Sequence, residues 1–186
     1  MAKREIKQVA NHLLQQVFLT VEDHIAVMTL HNPPVNAVSG IMQEEILLLC
    51  DYIDHDDSIW VCVLHSDIKT FCVGVDINRF YKSIQERDVT NRQELYYDGA
   101  QALYDLRVPL ICAVHGHCLG GGLCYPAGAD ITIAVRGTQF GAPEAKLGVV
   151  GGCGHLARIL PPQIQRDMSY CGTFITAEEL YGKYGA

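Results

Sequence analysis

The chain has 186 residues, of which 49% are hydrophobic and 19% are charged, and its formal net charge is −7 at pH 7. This composition excludes a disordered chain, and the length suits one domain, residues 1–186, with a sizeable core. The negative charge argues against nucleic acid or an anionic membrane surface as a partner, and no apolar run is long enough to span a bilayer. Because residues 1–16 lack the apolar region of a secretory signal, we expect a cytoplasmic protein.

The first third of the chain reads as helix, hairpin, helix and strand. Apolar residues near helical spacing predict an amphipathic helix over residues 3–16. Alternating segments at 17–21 and 25–30 predict a β-hairpin. Ser39 is a suitable N-cap for a helix that runs to about Asp54, and residues 60–64 form an apolar run typical of a buried strand.

The remainder continues the alternation of strands and helices. Helical spacing extends over residues 89–106, and the apolar run 110–114 predicts a strand buried on both faces. A short helix is expected at 123–128, a strand follows at 131–135, and Thr176 caps a last short helix. Strands that alternate with helices predict an α/β fold with a largely parallel sheet.

Polar and sulfur-containing residues do not predict a metal site. The Asp54–Asp57 cluster fits a solvated helix terminus better than a cation loop, and His115 and His117 are only two potential ligands. No Cys-x-x-Cys pair is present, and most cysteines lie within apolar runs. We therefore expect reduced, buried side chains at most of the eight positions, which are Cys50, Cys62, Cys72, Cys112, Cys118, Cys124, Cys153 and Cys171.

Three consecutive glycines, Gly120 to Gly122, stand where the strand at 110–114 and its loop give way to a short helix. Backbone N–H groups at a helix start have no intrahelical acceptor, and glycine lets a ligand oxygen approach them closely. This arrangement can form an oxyanion hole, but it can equally serve only tight packing between helix and strand. The spacing fits neither a dinucleotide fingerprint nor a phosphate-binding loop.

Glu144 is a candidate acid or base. It follows Pro143 in a loop of small and apolar residues, where partial burial would raise the pKa of a carboxyl group. The alternative is an exposed loop carboxylate that pairs with Lys146.

Three separated segments resemble the crotonase superfamily, which includes the enoyl-CoA hydratases and isomerases: KTFCVGVDI at 69–77, GHCLGGGLCYPAGAD at 116–130 and FGAPEAKLGVVGG at 140–152. The resemblance implies a spiral of ββα units, with the family's usual C-terminal helical region largely missing. It implies an acyl-CoA thioester as substrate, in keeping with fatty acid metabolism, and no cofactor beyond the coenzyme A of that substrate. It also implies a homo-trimer or hexamer where the C-terminal region is present.

The same resemblance assigns roles to particular positions. The N–H groups of Val75 and Gly121 would form the oxyanion hole, and Glu144 would be the general acid/base for hydration of a 2-enoyl-CoA or for 3-to-2-enoyl-CoA isomerisation. The implied substrate-binding positions are Val35, Ala37, Val73, Asp76, Ile77, Gly120, Cys124 and Pro143. Apart from the resemblance, helical spacing makes six residues candidates for the core or for a pocket wall: Tyr96, Tyr97, Ala100, Leu103, Tyr104 and Leu106. His155 and Arg158 are polar candidates near the end of the chain, and the alternative for both is a hydrogen-bonded helix residue.

One position departs from the family pattern. Hydratases of the family usually carry a first glutamate two residues after the last glycine of the triplet, and this chain has Cys124 there. A neutral thiol cannot reproduce the acceptor pair of a carboxylate, so the two-glutamate hydration mechanism is not intact. The remaining single glutamate suffices for an isomerase. Two alternatives stay open, an acyl-CoA hydrolase that uses the Cys124 thiolate and a non-catalytic acyl-CoA-binding relative.

Overall fold

The computed structural model describes residues 2–78, 81–82, 94–148 and 153–185. Thirteen strands are described: β1 Arg4–Ile6, β2 Gln8–Val9, β3 His12–Leu13, β4 Val17–Glu22, β5 Ile25–Leu30, β6 Ala37–Val38, β7 Val61–Ser66, β8 Gly74–Val75, β9 Leu110–Val114, β10 His117–Leu119, β11 Ile131–Ala134, β12 Gln139–Gly141 and β13 Phe174–Thr176. The α-helices are α1 Gly40–Asp54, α2 Glu94–Tyr104, α3 Cys124–Gly128, α4 Cys153–Leu156, α5 Pro162–Cys171 and α6 Ala177–Glu179. Two 3₁₀ segments, Gly120–Leu123 and Pro143–Leu147, and a π-helical segment, Leu180–Tyr184, are also described.

The main sheet has six strands in the order β1-β4-β5-β7-β9-β11. β4 pairs antiparallel with β1 and with β5, and β5, β7, β9 and β11 run parallel. The predicted hairpin and the largely parallel α/β sheet are therefore confirmed. The parallel order follows the chain order, as expected when each crossover passes over the same face with the same hand.

A second layer of short strands repeats this order. β6 pairs parallel with β8, a single bridge joins Cys72 to Cys118, and β10 pairs parallel with β12. Each turn of the chain thus adds one strand to the main sheet and one to the second layer before a helical segment follows. This is the predicted spiral of ββα units, and it places the segments after β8 and β10 side by side.

The core lies between the main sheet and the helices. Inward residues of successive strands, such as Leu19, Met28 and Leu64, are fully buried. Helix α1 contributes Met42, Ile46, Leu49 and Ile53 at helical spacing. The Ser39 hydroxyl accepts the N–H of Met42 at 3.1 Å, so Ser39 is the predicted N-cap, a contact that stabilises a helix by about 1 kcal/mol.

The predicted N-terminal helix over residues 3–16 is wrong. This segment forms β1, β2 and β3, and β1 continues the main sheet alongside residues 19–21 of β4. Its apolar residues happen to fit a helical period, but a distant carboxylate fixes the extended backbone. Glu45 of α1 is fully buried and accepts the N–H groups of Gln15, Gln16 and Val17 at 2.7–2.8 Å.

Two other sequence expectations need correction or restriction. β9 is not buried on both faces, because Leu110, Cys112 and Val114 are buried while the two residues between them are only half-buried. The strand predicted at 131–135 is present as β11, and it is largely exposed, with Ile133 at 60%. The predicted helix at 89–106 is described from Glu94 to Tyr104, and its first predicted residues lie outside the described part. In the described chain, every helix is too short or too polar to cross a bilayer.

Candidate active site

The glycine triplet opens as a 3₁₀ turn, Gly120–Leu123, and α3 begins directly after it at Cys124. The predicted helix at 123–128 is therefore confirmed in place, with an added 3₁₀ turn at its start. α3 is held at its buried Tyr125, whose hydroxyl accepts a hydrogen bond from Gln43 of α1 at 3.2 Å. Gln43 in turn accepts the N–H of Gly99 in α2 at 3.1 Å. Two helices thus fix the helix start that follows the triplet.

The end of β8 packs directly on this turn. A Cβ built on Gly74 would lie 2.9 Å from both the Gly121 nitrogen and the Leu119 oxygen, and the φ of Gly74 is +88°. Any other residue would clash with backbone and be strained at this position. Gly74 therefore lets two backbone segments meet.

This contact brings two amide groups together. A Cβ built on Gly121 would lie 3.8 Å from the Val75 nitrogen, so the amides of Gly121 and Val75 are neighbours. The N–H of Asp76 donates to the Val38 oxygen of β6 at 3.2 Å. Because amides alternate along a strand, the N–H of Val75 is directed away from β6. Two adjacent N–H groups outside a ladder can bind a single oxygen.

Glu144 reaches the same place from the 3₁₀ segment Pro143–Leu147. A Cβ built on Gly120 would overlap Glu144 Oε1 and lie 2.9 Å from its Cδ, and Gly120 has a φ of +53°. The carboxylate therefore rests against the bare backbone of Gly120. The structure thus brings together Val75, Gly120, Gly121 and Glu144, which the sequence placed in three separate segments.

The electrostatics of Glu144 suit proton transfer. Burial raises the pKa of this carboxyl above its ordinary value, and hydrogen bonds from its own N–H and from that of Gly121 partly offset the effect. Its Oε2 is buried and has no hydrogen-bond partner among the described residues. A buried acceptor without a partner is costly and is typical of a functional site. Lys146 does not pair with Glu144 but donates to the Gly172 carbonyl at 2.9 Å.

Cys124 belongs to a group of buried thiols. Its side chain is buried at 4% exposure, and it interacts electrostatically with Cys72 and Cys118. Burial raises the pKa of Cys72 to about 12, with a smaller contribution from Cys124. Cys118 is buried as well, and its Sγ donates to the Gly122 oxygen at 3.4 Å. The glycine triplet is therefore backed by sulfur-containing side chains.

The remaining predicted substrate-binding residues surround the site at different depths. Ala37 of β6 pairs with Gly74 of β8, the residue directly before Val75. Val73 and Asp76 flank β8 and are half-buried, as is Pro143. Val35 and Ile77 are 37% and 47% exposed and lie at the rim.

Sequence reasoning missed Asn36, which organises the loops behind the site. Asn36 is fully buried, and its Nδ2 donates to the Ser66 hydroxyl at 2.8 Å and to the Phe71 carbonyl at 2.9 Å. The backbone carbonyl oxygen of Asn36 accepts a hydrogen bond from the Cys72 thiol at 3.0 Å. The loop before α1 is thereby tied to the segment that leads into β8. An asparagine after two prolines indicates a turn, and nothing local reveals these partners.

Other candidates have structural partners. His115 hydrogen-bonds to the Ile68 carbonyl at 2.6 Å, and the Asp56 carboxylate pairs with Arg4 at 3.0 Å. Among the described residues, no group of three histidine, cysteine or acidic side chains could hold a metal ion.

Residues suggested for the pocket wall are scattered. Ala100 and Leu103 are buried, Leu106 is half-buried and Tyr104 is 44% exposed. Arg158 lies over the Tyr104 ring, with its Cζ 3.7 Å from the ring centroid. Burial lowers the pKa of His155, with a further contribution from Arg158. The side chains of Tyr96 and Tyr97 lie outside the described residues.

The profile of the enoyl-CoA hydratase/isomerase family matches residues 20–183. The chain belongs to this family. It is 44% identical over 171 residues to a carnitinyl-CoA dehydratase of Salmonella arizonae, covering 87% of this chain and 62% of that protein. A (7aS)-7a-methyl-1,5-dioxo-2,3,5,6,7,7a-hexahydro-1H-indene-carboxyl-CoA hydrolase of Rhodococcus jostii is 30% identical, with 85% of this chain and 61% of that protein covered.

The fold of this family member has close solved counterparts. An enoyl-CoA hydratase of Geobacillus kaustophilus superposes with a TM-score of 0.86 at 28% identity, covering 97% of this chain and 68% of that chain. The matched part spans 54%, 61% and 65% of the length of three curated relatives. The predicted family and the predicted crotonase fold are thus confirmed.

Proposed function

We propose that this protein acts on acyl-CoA thioesters by holding the thioester oxygen on the N–H groups of Val75 and Gly121 while Glu144 transfers a proton at carbon. The observation that carries this proposal is the Glu144 carboxylate, which rests on Gly120 beside the N–H of Gly121 and leaves a buried Oε2 without a hydrogen-bond partner among the described residues. When a thioester oxygen takes the Gly121 N–H, the carbon next to the thioester lies alongside Glu144. Coenzyme A enters only as part of the substrate.

Isomerisation of a 3-enoyl-CoA to a 2-enoyl-CoA fits a single carboxylate best. Glu144 removes a proton from C2, and the electrons of that C–H bond pass into a dienolate whose oxygen is held by the two N–H groups. The protonated Glu144 then returns the proton at C4, and the double bond ends between C2 and C3. Removal of one oxyanion donor in comparable enzymes costs about 10²–10³ in rate, so the two donors supply a large part of the acceleration.

Hydration of a 2-enoyl-CoA is the second candidate. A relative at 44% identity is named a carnitinyl-CoA dehydratase, and dehydration is the reverse of hydration. Addition of water at C3 gives a simple enolate rather than a dienolate; the same two N–H groups would hold its oxygen, but a water molecule must be oriented. Cys124 occupies the position of the first family glutamate and is buried among thiols, so Glu144 would have to orient the water with other help.

The hydrolase alternative rests on the names of two relatives and on the Cys124 thiol. A nucleophile must reach the thioester carbon, and Cys124 is only 4% exposed. This burial makes hydrolysis through Cys124 the weaker candidate.

We also propose a cytoplasmic protein that assembles as a homo-trimer or hexamer where the C-terminal region is present. The assembly is in keeping with the exposed apolar side chains of Ile131 and Ile133 on edge strand β11 and of Val135 directly after it.

A test uses panels of 3-enoyl-CoA and 2-enoyl-CoA incubated in D₂O and read by mass spectrometry. We expect double-bond migration with deuterium incorporation, and a loss on the order of 10²–10⁴-fold in Glu144→Gln. Glu178→Gln is the matched control, since Glu178 lies on α6 and accepts the Gly137 N–H at 3.0 Å. This control should keep the wild-type rate.

Each other outcome selects a different function. A water adduct that depends on Glu144 would select hydration, and free coenzyme A without either product would select hydrolysis. Binding of acyl-CoA without turnover in the wild type would leave a non-catalytic relative and refute the proposed reaction.

A further inference from the structure

Lys146 lies two residues after Glu144 on the same 3₁₀ segment, and it is anchored to a different part of the chain. Its Nζ donates to the Gly172 carbonyl at 2.9 Å and lies 5.9 Å from the centroid of the Phe174 ring. Gly172 ends α5, and its N–H donates back to the Met168 carbonyl. An ammonium group is favourable at this helix end, where carbonyl groups carry partial negative charge.

The aliphatic stem of Lys146 also packs closely. A Cβ built on Gly172 would lie 2.8 Å from Lys146 Cε and 3.2 Å from its Cδ and Cγ, so the stem lies against the bare backbone of this residue. On the other side of the segment, a Cβ built on Gly141 would lie 3.0 Å from the Phe174 ring. Phe174 belongs to β13, which pairs with β12 just before the 3₁₀ segment.

The segment that carries Glu144 is thus fixed at both ends by residues 172–174. β12 leads into it from the paired strand β13, and Lys146 ties its last turn to the end of α5. Within a five-residue 3₁₀ segment, a shift of Lys146 moves Glu144, because the backbone between them is hydrogen-bonded and short.

We propose that Lys146 is a positioning residue for Glu144, holding the carboxylate against Gly120 by tethering the 3₁₀ segment to the C-terminal end of α5. The inference rests on the proposed function, because it assigns a role that acts through Glu144. The simpler alternative is that Lys146 only caps α5 and affects stability. The positioning role predicts that removal of the ammonium group displaces the Glu144 carboxylate, whereas the capping role predicts that Glu144 stays in place.

The test compares Lys146→Met, which keeps the stem, with Lys146→Arg, which keeps a donor for the Gly172 carbonyl. Lys183→Met is the matched control, because Lys183 also makes a 2.8 Å charged hydrogen bond, to Glu179 four residues away, on the last helical turns. We expect Lys146→Met to lower kcat about tenfold with KM nearly unchanged, since small misplacements of a reacting group reduce rate more than binding. Lys146→Arg should recover most of the rate, and Lys183→Met should match the wild type.

A second readout is independent of turnover. A ¹³C NMR titration of the Glu144 carboxyl, assigned by its absence in Glu144→Gln, should show a lower pKa in Lys146→Met, because a displaced carboxylate becomes more solvated. Lys183→Met should leave that titration unchanged. If the wild type turns over no substrate, the proposed function fails, and this titration still tests the positioning role.

The proposal is overturned if Lys146→Met lowers the unfolding temperature but leaves both kcat and the Glu144 titration as in the wild type. Equal effects of Lys146→Met and Lys183→Met would also overturn it. So would a Lys146→Arg variant that behaves like Lys146→Met.

Discussion

At the residue scale, Glu144 combines two properties that oppose each other. The burial that raises its pKa makes it a better proton acceptor near neutral pH, but the folded protein must then hold a charged group away from water. The pKa in the folded state lies above that of the unfolded chain. Stability from this group is therefore fully present at low pH and is lost as pH rises through the folded-state pKa.

We expect Glu144→Gln to unfold at a higher temperature than the wild type at pH 8, and the difference to shrink towards pH 4. The gain should be no more than a few degrees, since Glu144 is only half-buried. Glu178→Gln should show the opposite sign, because the Gly137 N–H lowers the pKa of Glu178 and its contribution is present above the unfolded value. Calorimetry of the three proteins across this range checks both signs. An equal pH response in all three would contradict the assignment.

At the scale of elements, the N-terminal strands depend on one carboxylate of α1. Glu45 accepts three consecutive backbone N–H groups, and its Oε1 also lies 3.0 Å from His12 Nε2. These contacts join residues 12–17 to a helix that begins over twenty residues later. They explain why this segment is extended, although its apolar spacing indicates a helix.

Glu45→Ala should lower the free energy of unfolding by about 3 kcal/mol or more, because it leaves buried N–H groups without an acceptor. Glu44→Ala is a matched control on the same turn, with a side chain that is 60% exposed. We expect that variant to stay within about 0.5 kcal/mol of the wild type. Urea unfolding measures both, and similar losses in the two variants would show that the Glu45 contacts are not what holds the segment.

At the scale of the whole molecule, the thiols report on cooperative unfolding. Among the described residues, six cysteines that form no disulfide are buried, namely Cys50, Cys62, Cys72, Cys112, Cys118 and Cys124, whereas Cys171 is exposed. Burial raises the pKa of Cys62 to about 12, so little thiolate forms there at neutral pH. The core thiols therefore react only when the core opens.

Iodoacetamide should label Cys171 rapidly in the native protein and the six buried cysteines only at the rate of global unfolding. Peptide mass mapping resolves each position, and added urea should accelerate the six together. Labelling of Cys124 as fast as Cys171 would contradict this expectation and would favour hydrolysis through the Cys124 thiolate.

Local patterns in the sequence were sufficient for much of the fold. The β4–β5 hairpin follows from alternation, α1 from its spacing and the Ser39 cap, and the last helix from Thr176, whose hydroxyl accepts the N–H of Glu179 at 3.2 Å. In each case the deciding contacts lie within a few residues or within one strand pair. The segments that carry the candidate site could also be recognised from the sequence, since the family motifs have glycines and a glutamate at fixed positions.

Only the tertiary structure decided which groups meet. Lys146 could have paired with Glu144 two residues away, but its partner is Gly172, 26 residues later. Glu45, Asn36 and the contact of Gly74 with Gly121 likewise depend on residues 28 to 47 positions apart. The sequence by itself determined the family, the repeating strand–helix order and the candidate catalytic glutamate. The tertiary structure decided the extended N-terminus and the burial of Glu144, because both depend on contacts that form only when distant segments pack together.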